Sequence, residues 1–143
     1  MALVRASRNA RLLLLVRHGK AAPKNVGLTD FERVLTEEGQ ADCDRVARDV
    51  RMLGLKLDLI LSSPADRALE TAHLFAGRVN YPYSQIGIVD SLYTSPAIRP
   101  QVALIRTLKK SVRTVALCGH NPSFDQLASY FICNPARSLA KGG

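Results

Sequence analysis

The chain has 143 residues, 47% of them hydrophobic, and its 20 lysines and arginines outweigh 12 acids to give a net charge of +8. This length suits one globular domain with a single core and excludes a multidomain protein. Three widely spaced cysteines without a CxxC pair argue against a disulfide framework or a thiolate zinc site, and they favour a reducing, cytoplasmic setting.

The start of the chain is strongly basic. Six cations precede the first acid, Asp30: Arg5, Arg8, Arg11, Arg17, Lys20 and Lys24. Such a charge balance favours an anionic partner. We divide the chain into a basic N-terminal segment, residues 1–10, and a single domain, residues 11–143, with organelle targeting as the less favoured role for the segment. The apolar run at residues 12–16 is too short for a signal peptide or a membrane span, so no membrane association is expected.

Short apolar runs then alternate with helical patterns. The predicted strands are residues 12–16, 57–61, 85–89 and 112–117, and the predicted helices are residues 37–53, 64–77, 98–109 and 122–132. Thr36 and Ser63 are the expected N-caps of the first two helices, with Pro64 at the first helical position of the second.

This alternation predicts a three-layer α/β/α sandwich with a mostly parallel sheet. No strand pattern follows the last helix, so a C-terminal strand is expected to be missing, as in a fragment or a chain that ends early.

Three polar motifs follow three of the predicted strands. Arg17-His18-Gly19 follows the first, Ser62-Ser63-Pro64-Ala65-Asp66-Arg67 the second, and Gly119-His120-Asn121-Pro122 the fourth. The carboxyl ends of parallel strands meet at the edge of the sheet where α/β folds bind ligands. Two imidazoles and two guanidiniums are therefore expected there, a set suited to phosphate.

These motifs resemble those of the histidine phosphatase (phosphoglycerate mutase-like) superfamily, most closely its small SixA-like phosphohistidine phosphatase branch. The resemblance covers about residues 13–130. It rests on RHG, on LTEEG at residues 35–39, on SSPxxRAxxTA at residues 62–72, on Leu92-Tyr93 and on GHNP. It implies an enzyme without a cofactor. It also implies a domain without the helical insertion that covers the site in larger relatives, because the stretch between Arg67 and His120 is too short to hold one. No metal is expected, since two histidines without clustered cysteines or carboxylates fall short of a zinc set.

The resemblance also implies roles for four residues. His18 is expected to attack phosphorus and form a covalent phosphohistidine, while Arg17, Arg67 and His120 hold and neutralise the phosphoryl group. From the residues alone, each histidine could instead be a core or capping residue. Arg67 could equally pair with a nearby acid, either Asp66 or Glu70.

Several further residues are weaker candidates. Ser62 and Ser63 could hold phosphate oxygens near a helix start, although capping is the commoner use of Ser63. Arg33 resembles a basic residue that many small family members carry after RHG, and it is a candidate for the rim of the site. His73 lies mid-helix outside any motif and is expected to be structural or on the surface.

The general acid is where the chain departs from its relatives. Many of them carry a glutamate two residues after a leucine, but Leu92-Tyr93-Thr94 places a threonine there, which leaves Asp90 as the candidate acid. Because imidazole is a better leaving group than an alkoxide, a missing acid favours phosphohistidine as the substrate.

The predicted function is therefore a monomeric phosphatase that removes phosphate from phosphohistidine in a protein. One alternative is a phosphatase for small phosphate esters that uses Asp90 as its acid. Another is a catalytically weak phosphate- or nucleic-acid-binding module. Nucleic acid is not expected as a partner, because aromatic residues make up only 6% of the chain and do not alternate with basic ones.

Overall fold

A five-stranded sheet forms the centre of the computed structural model, which describes residues 2–5, 11–24, 27–95 and 97–133. The strands are β1 (Ala2–Arg5), β2 (Leu12–Arg17), β3 (Leu59–Ser62), β4 (Gly87–Ile88) and β5 (Thr114–Gly119). Their order is β1-β2-β5-β3-β4, and only β1 runs antiparallel to its neighbour. The carboxyl ends of β2, β3 and β5 consequently lie at one edge of the sheet.

Helices cover both faces of this sheet. They are α1 (Glu37–Met52), α2 (Asp66–Arg78), α3 (Ser91–Thr94), α4 (Arg99–Thr107) and α5 (Ser123–Cys133), with a 3₁₀ turn at Tyr83–Gln85. Along β2, Leu13 and Leu15 pack with α4 and α5, while Leu14 and Val16 pack with α1 and α2. Successive side chains of a strand point to opposite faces, so a continuous apolar run fills two cores. The predicted three-layer sandwich is confirmed.

The helix starts show one correct and one wrong prediction. Thr36 is the N-cap of α1, and its side chain accepts a hydrogen bond from the backbone N–H of Gly39. Ser63 is not the N-cap of α2, and Pro64 is not its first residue. The N-cap is Ala65, which makes no side-chain capping bond. The Ser63 hydroxyl faces His120 instead and accepts a hydrogen bond from the N–H of Ala65.

Other differences lie at the edges of the sheet. The sequence predicted four strands, but residues 2–5 add β1 at one edge, and β4 at the other edge has two residues instead of five. Arg8 and residues 134–143 lie outside the described residues, so the expectation of a missing C-terminal strand stays a prediction. Within the ranges given above, no helix is both long and apolar enough to cross a bilayer.

Candidate active site

His18 lies just beyond the end of β2, where its backbone N–H donates to the carbonyl of Gly119 at 3.0 Å. Its Nδ1 is 2.7 Å from the carbonyl oxygen of Gly19. A carbonyl can only accept, so Nδ1 carries the proton and Nε2 presents a lone pair. Arg67 Nε donates to that lone pair at 3.3 Å. The ring is thus held in the tautomer whose Nε2 is free to act as a nucleophile.

The same surroundings keep His18 uncharged. Burial lowers the pKa of this imidazole below its ordinary value. A hydrogen bond to Gly19 opposes the shift, but the positive charges of Arg67, Arg17 and Arg33 add to it. At neutral pH the ring is therefore in its nucleophilic form.

Arg67 is buried at the start of α2, with 5% of its surface exposed. Besides its bond to His18, it donates through Nη1 to the backbone carbonyl of Asp30 at 2.6 Å and through Nη2 to the Asp30 carboxylate at 3.1 Å. Its ion-pair partner is thus Asp30, and the alternative pairing with Asp66 or Glu70 is wrong. A guanidinium has five N–H groups, so two remain to bind phosphoryl oxygens.

Asp30 joins several polar groups of the site. Its Oδ1 accepts from Arg33 at 2.9 Å, and its Oδ2 accepts from Arg67 and from the Tyr93 hydroxyl at 2.9 Å. Burial alone would raise the pKa of this carboxyl, but the hydrogen bonds from Arg33, Tyr93 and Arg67 lower it to about 2. The carboxylate is therefore ionised throughout the neutral range and fixes two guanidiniums side by side.

His120 supplies a second imidazole after β5. Its ring centroid is 5.1 Å from that of His18, and its Nε2 is 2.8 Å from the hydroxyl of Ser63. Burial, and next the positive charge of Arg67, lower the pKa of His120 to about 4. Its Nδ1 is buried without a hydrogen-bond partner among the described residues. The site therefore contains two neutral imidazoles beside a buried guanidinium.

Two glycines let the loop after β2, residues 18–24, lie against the start of α1; we call it the catalytic loop after the predicted role of His18. A Cβ on Gly19 would come within 2.6 Å of the carbonyl oxygen of Gly39 and 2.7 Å of Cys43 Sγ, and a Cβ on Gly39 would clash with the backbone of Lys20. The N–H of Thr36 bonds the Lys20 carbonyl at 2.9 Å. Only glycine at both positions leaves room for this close backbone contact between the RHG and LTEEG motifs.

The model of the histidine phosphatase superfamily (branch 1) matches residues 13–92. The chain belongs to this superfamily. The matched residues include the motifs that lie at the carboxyl ends of β2 and β3.

Relatives of the chain include an uncharacterized chloroplastic protein of Arabidopsis thaliana, 31% identical over 84% of the chain and 58% of that protein. The mitochondrial serine/threonine-protein phosphatase Pgam5 of Drosophila virilis is 30% identical over 66% of the chain and 32% of its own length. The chain thus spans less than two thirds of the length of these curated relatives.

Among solved structures, a SixA protein from Agrobacterium tumefaciens has 31% identity and a TM-score of 0.74, covering 87% of this chain and 79% of its own. A SixA protein histidine phosphatase complexed with tungstate shares the fold, with 24% identity and a TM-score of 0.75, covering 82% of this chain and 74% of its own.

Most of the residues predicted for the site come together. His18, Arg67 and His120 lie within the contacts given above, and Ser63 bonds His120. Arg33 bonds Asp30 and lies close enough to lower the pKa of His18.

Three predicted residues make no described hydrogen bond to His18 or His120. Arg17 is exposed at the end of β2, and its charge also lowers the pKa of His18. Ser62 is fully buried, with its hydroxyl donating to the carbonyl of Ser63. Asp90 is exposed next to α3, and its described hydrogen bonds are made by its backbone carbonyl to Tyr93 and Thr94. The described contacts therefore do not bring the Asp90 carboxylate to His18 or His120.

Sequence reasoning missed two residues of the site, Asp30 and Tyr93. A usable signal for Asp30 was its position three residues before Arg33, a common spacing for an ion pair within a turn. In the sequence, Tyr93 counted only as part of the Leu92-Tyr93 motif on which the family resemblance rests. Its ring lies 5.6 Å from that of His120, which places it beside the reacting groups. In the described part of the chain, no group of histidines, cysteines or carboxylates is arranged to hold a metal ion.

Proposed function

We propose that this chain is a cofactor-independent phosphatase that removes the phosphoryl group from phosphohistidine in a protein. The observation that carries the proposal is the orientation of His18: Nδ1 is tied to Gly19 and Nε2 faces the guanidinium of Arg67. A neutral imidazole so held can attack phosphorus, and a cation is already in place to stabilise the charge on the phosphoryl oxygens.

The first half of the reaction transfers the phosphoryl group. His18 Nε2 forms a bond to phosphorus while the bond from phosphorus to the substrate imidazole breaks. Arg67 Nε turns its N–H from Nε2 to a phosphoryl oxygen, and His120 lies close enough to hydrogen-bond another. The Gly19 carbonyl stabilises the positive charge that develops on the His18 ring, because it accepts the Nδ1 proton throughout. The departing imidazole takes its proton from solvent.

The second half restores the enzyme. Water attacks the phosphorus of phospho-His18, the bond to Nε2 breaks, and inorganic phosphate leaves. The proton that the attacking water loses passes to solvent. Asp30 keeps Arg33 and Arg67 together in both halves through its two carboxylate oxygens.

The nature of the leaving group follows from the acids near the site. Thr94 stands where the family resemblance implies a glutamate in many members, and a threonine cannot protonate a leaving alkoxide. Asp30 is adjacent, but its pKa of about 2 leaves no proton to donate at neutral pH. An imidazole leaving group needs little protonation, so phosphohistidine suits this set of residues better than a sugar phosphate.

Trapping the phosphoenzyme tests this function. Brief incubation with a small carrier protein bearing radiolabelled phosphohistidine, followed by alkaline quenching, is expected to label the wild-type chain. His18→Ala should abolish the labelling. His73→Ala is the matched control, because His73 is exposed on α2 and bonds only the Leu69 carbonyl among the described contacts of its ring nitrogens. Labelling that persists in His18→Ala would place the nucleophile elsewhere.

A small phosphate ester is the second candidate substrate, and the open surroundings of Asp90 are the observation in its favour. An exposed carboxylate could reach a leaving oxygen without first breaking another bond. Preferential hydrolysis of sugar phosphates, lost in Asp90→Asn, would select this alternative. Salt-sensitive nucleic-acid binding without any turnover would instead favour a binding module.

A further inference from the structure

Three apolar side chains lie exposed in the segment that links the catalytic loop to α1. They are Leu28, Phe31 and Val34, with 38%, 39% and 42% of their surfaces accessible, and we call them the apolar rim. They are spaced three residues apart. Two successive turns shape the segment, with the N–H of Glu32 bonded to Thr29 and that of Arg33 bonded to Asp30.

The apolar rim is anchored to the catalytic groups. Asp30, within the segment, bonds Arg67, which in turn bonds His18. The Phe31 ring packs edge-on against Tyr93 with centroids 5.4 Å apart, and its carbonyl accepts from the N–H of Asp66. The apolar rim therefore belongs to a segment that contacts the groups proposed to bind the phosphoryl group.

The catalytic side of the rim is positively charged. Arg17 is exposed and lies close enough to His18 to lower its pKa. Lys24 is exposed and shortly precedes Leu28 in the sequence. The exposed acid within the rim segment, Glu32, accepts hydrogen bonds from the N–H and hydroxyl of Thr29. An apolar surface beside a positively charged site complements a protein face that carries apolar and acidic residues. A small phosphate ester has no apolar surface of its own to cover these side chains.

We propose that the apolar rim is the docking surface for a folded protein substrate, whose phosphohistidine lies next to apolar residues and is flanked by acids. This inference rests on the proposed function and adds where the substrate protein binds. Binding at the rim raises the local concentration of the phosphoryl group at His18. It contributes to recognition of the protein and not to the bond-breaking step.

The test compares two substrates in one set of variants. The Leu28→Ser/Val34→Ser double variant is expected to lower kcat/KM for a phosphohistidine protein about tenfold, chiefly through KM, because two apolar contacts are lost. Its kcat/KM for free phosphohistidine should stay within about twofold of the wild-type value. Phe31 is left unchanged, because it supports Tyr93.

A matched control removes apolar surface elsewhere. Met52 and Leu53, with 85% and 60% exposed, lie at the far end of α1 from the site, so Met52→Ser/Leu53→Ser should leave both substrates unaffected. Lys24→Glu is a second test, because it reverses a charge without removing apolar surface. It should raise KM for the protein alone.

The outcomes separate the two proposals. Equal losses on both substrates, or unchanged turnover of the protein in both the double variant and Lys24→Glu, would overturn the docking surface while leaving the phosphatase function in place. Failure of the wild-type chain to hydrolyse either substrate would overturn the proposed function, and with it the docking surface. A circular-dichroism spectrum matching the wild type confirms that the double variant is folded.

Discussion

The Asp30 carboxylate lies between two guanidiniums that would repel each other without it. Arg33 bonds one carboxylate oxygen, and Arg67 bonds the other together with Tyr93. Asp30→Asn keeps one carbonyl oxygen but turns an NH₂ group towards one of the two cations. We expect kcat/KM to fall about tenfold, with most of the loss in KM, because the phosphate-binding groups are no longer held in place.

The control for this change is another Asp–Arg pair of the same spacing. Asp42 pairs with Arg45 on the exposed face of α1. Steady-state kinetics of Asp42→Asn should match the wild type, because this pair lies on an exposed helix surface. A loss in Asp42→Asn as large as in Asp30→Asn would mean that the effect comes from general electrostatics and not from positioning.

The lowered pKa of His18 predicts a pH dependence. The nucleophile must be neutral, and burial with neighbouring cations moves its protonation to a pH below that of an ordinary histidine. Phosphoenzyme formation, corrected for titration of the substrate, should therefore stay high as the pH falls through about 6.5 and decline only at lower pH. An acidic limb centred at or above the ordinary histidine pKa would contradict this electrostatic account.

Sequence patterns located His18, the proposed nucleophile, but not the carboxylate that bonds the neighbouring arginines. His18, Arg67 and His120 each follow a strand, so their meeting at one sheet edge follows from parallel topology. Asp30 bonds Arg67 across 37 residues and Tyr93 across 63. No local periodicity encodes such contacts, because they depend on how a loop folds back over the sheet edge.

At the level of elements, central strands were predicted better than edge strands. The pattern at residues 112–117 is nearly all apolar because β5 is buried on both faces, and the structure shifts it by only two residues, to Thr114–Gly119. β4 pairs with only one neighbour, β3, and little of its sequence distinguishes it from the turn before it. The prediction of Ser63 as the N-cap of α2 was wrong, because the local sequence of a serine before a helix is the same whether its hydroxyl caps the helix or faces His120.

Arg11 shows how a charge count can mislead. It belongs to the basic start of the chain, yet it is 7% exposed and donates to the carbonyls of Ile105, Leu108, Lys109 and Val112. Its guanidinium thereby satisfies groups at the end of α4 and in the following turn, next to the start of β5. It contributes to stability and offers little charge to a partner.

Replacing this arginine should destabilise the fold without affecting the chemistry. Arg11→Met removes charged hydrogen bonds to buried carbonyls, so we expect the free energy of unfolding to fall by about 3 kcal/mol. Arg99, exposed at the start of α4, is the control. Arg99→Met should change the free energy of unfolding by less than about 0.5 kcal/mol. Urea denaturation measures both. Equal effects would show that the carbonyl contacts of Arg11 do not account for its contribution.

Viewed as a whole, the molecule concentrates its functional groups at one end. The parallel strands end there, and the glycine contact between Gly19 and Gly39 brings the start of α1 against the catalytic loop. Between α2 and β5, the described residues form a 3₁₀ turn, a two-residue strand and two short helices, and α3 contributes Tyr93 to the site. These described residues contain no large helical insertion, as the sequence predicted, and the short crossover suits a substrate as large as a folded protein.

The net charge of +8 predicts how the whole molecule meets such a substrate. Long-range attraction to an acidic phosphoprotein raises the rate of encounter and is screened by salt. Raising the ionic strength from about 0.05 M to about 0.5 M should therefore lower kcat/KM for the protein substrate about tenfold and leave its kcat nearly constant. Free phosphohistidine, which carries fewer negative charges than an acidic protein, should show a smaller dependence. Equal salt dependence of the two substrates would locate the effect at the phosphate-binding residues and not in the field of the whole protein.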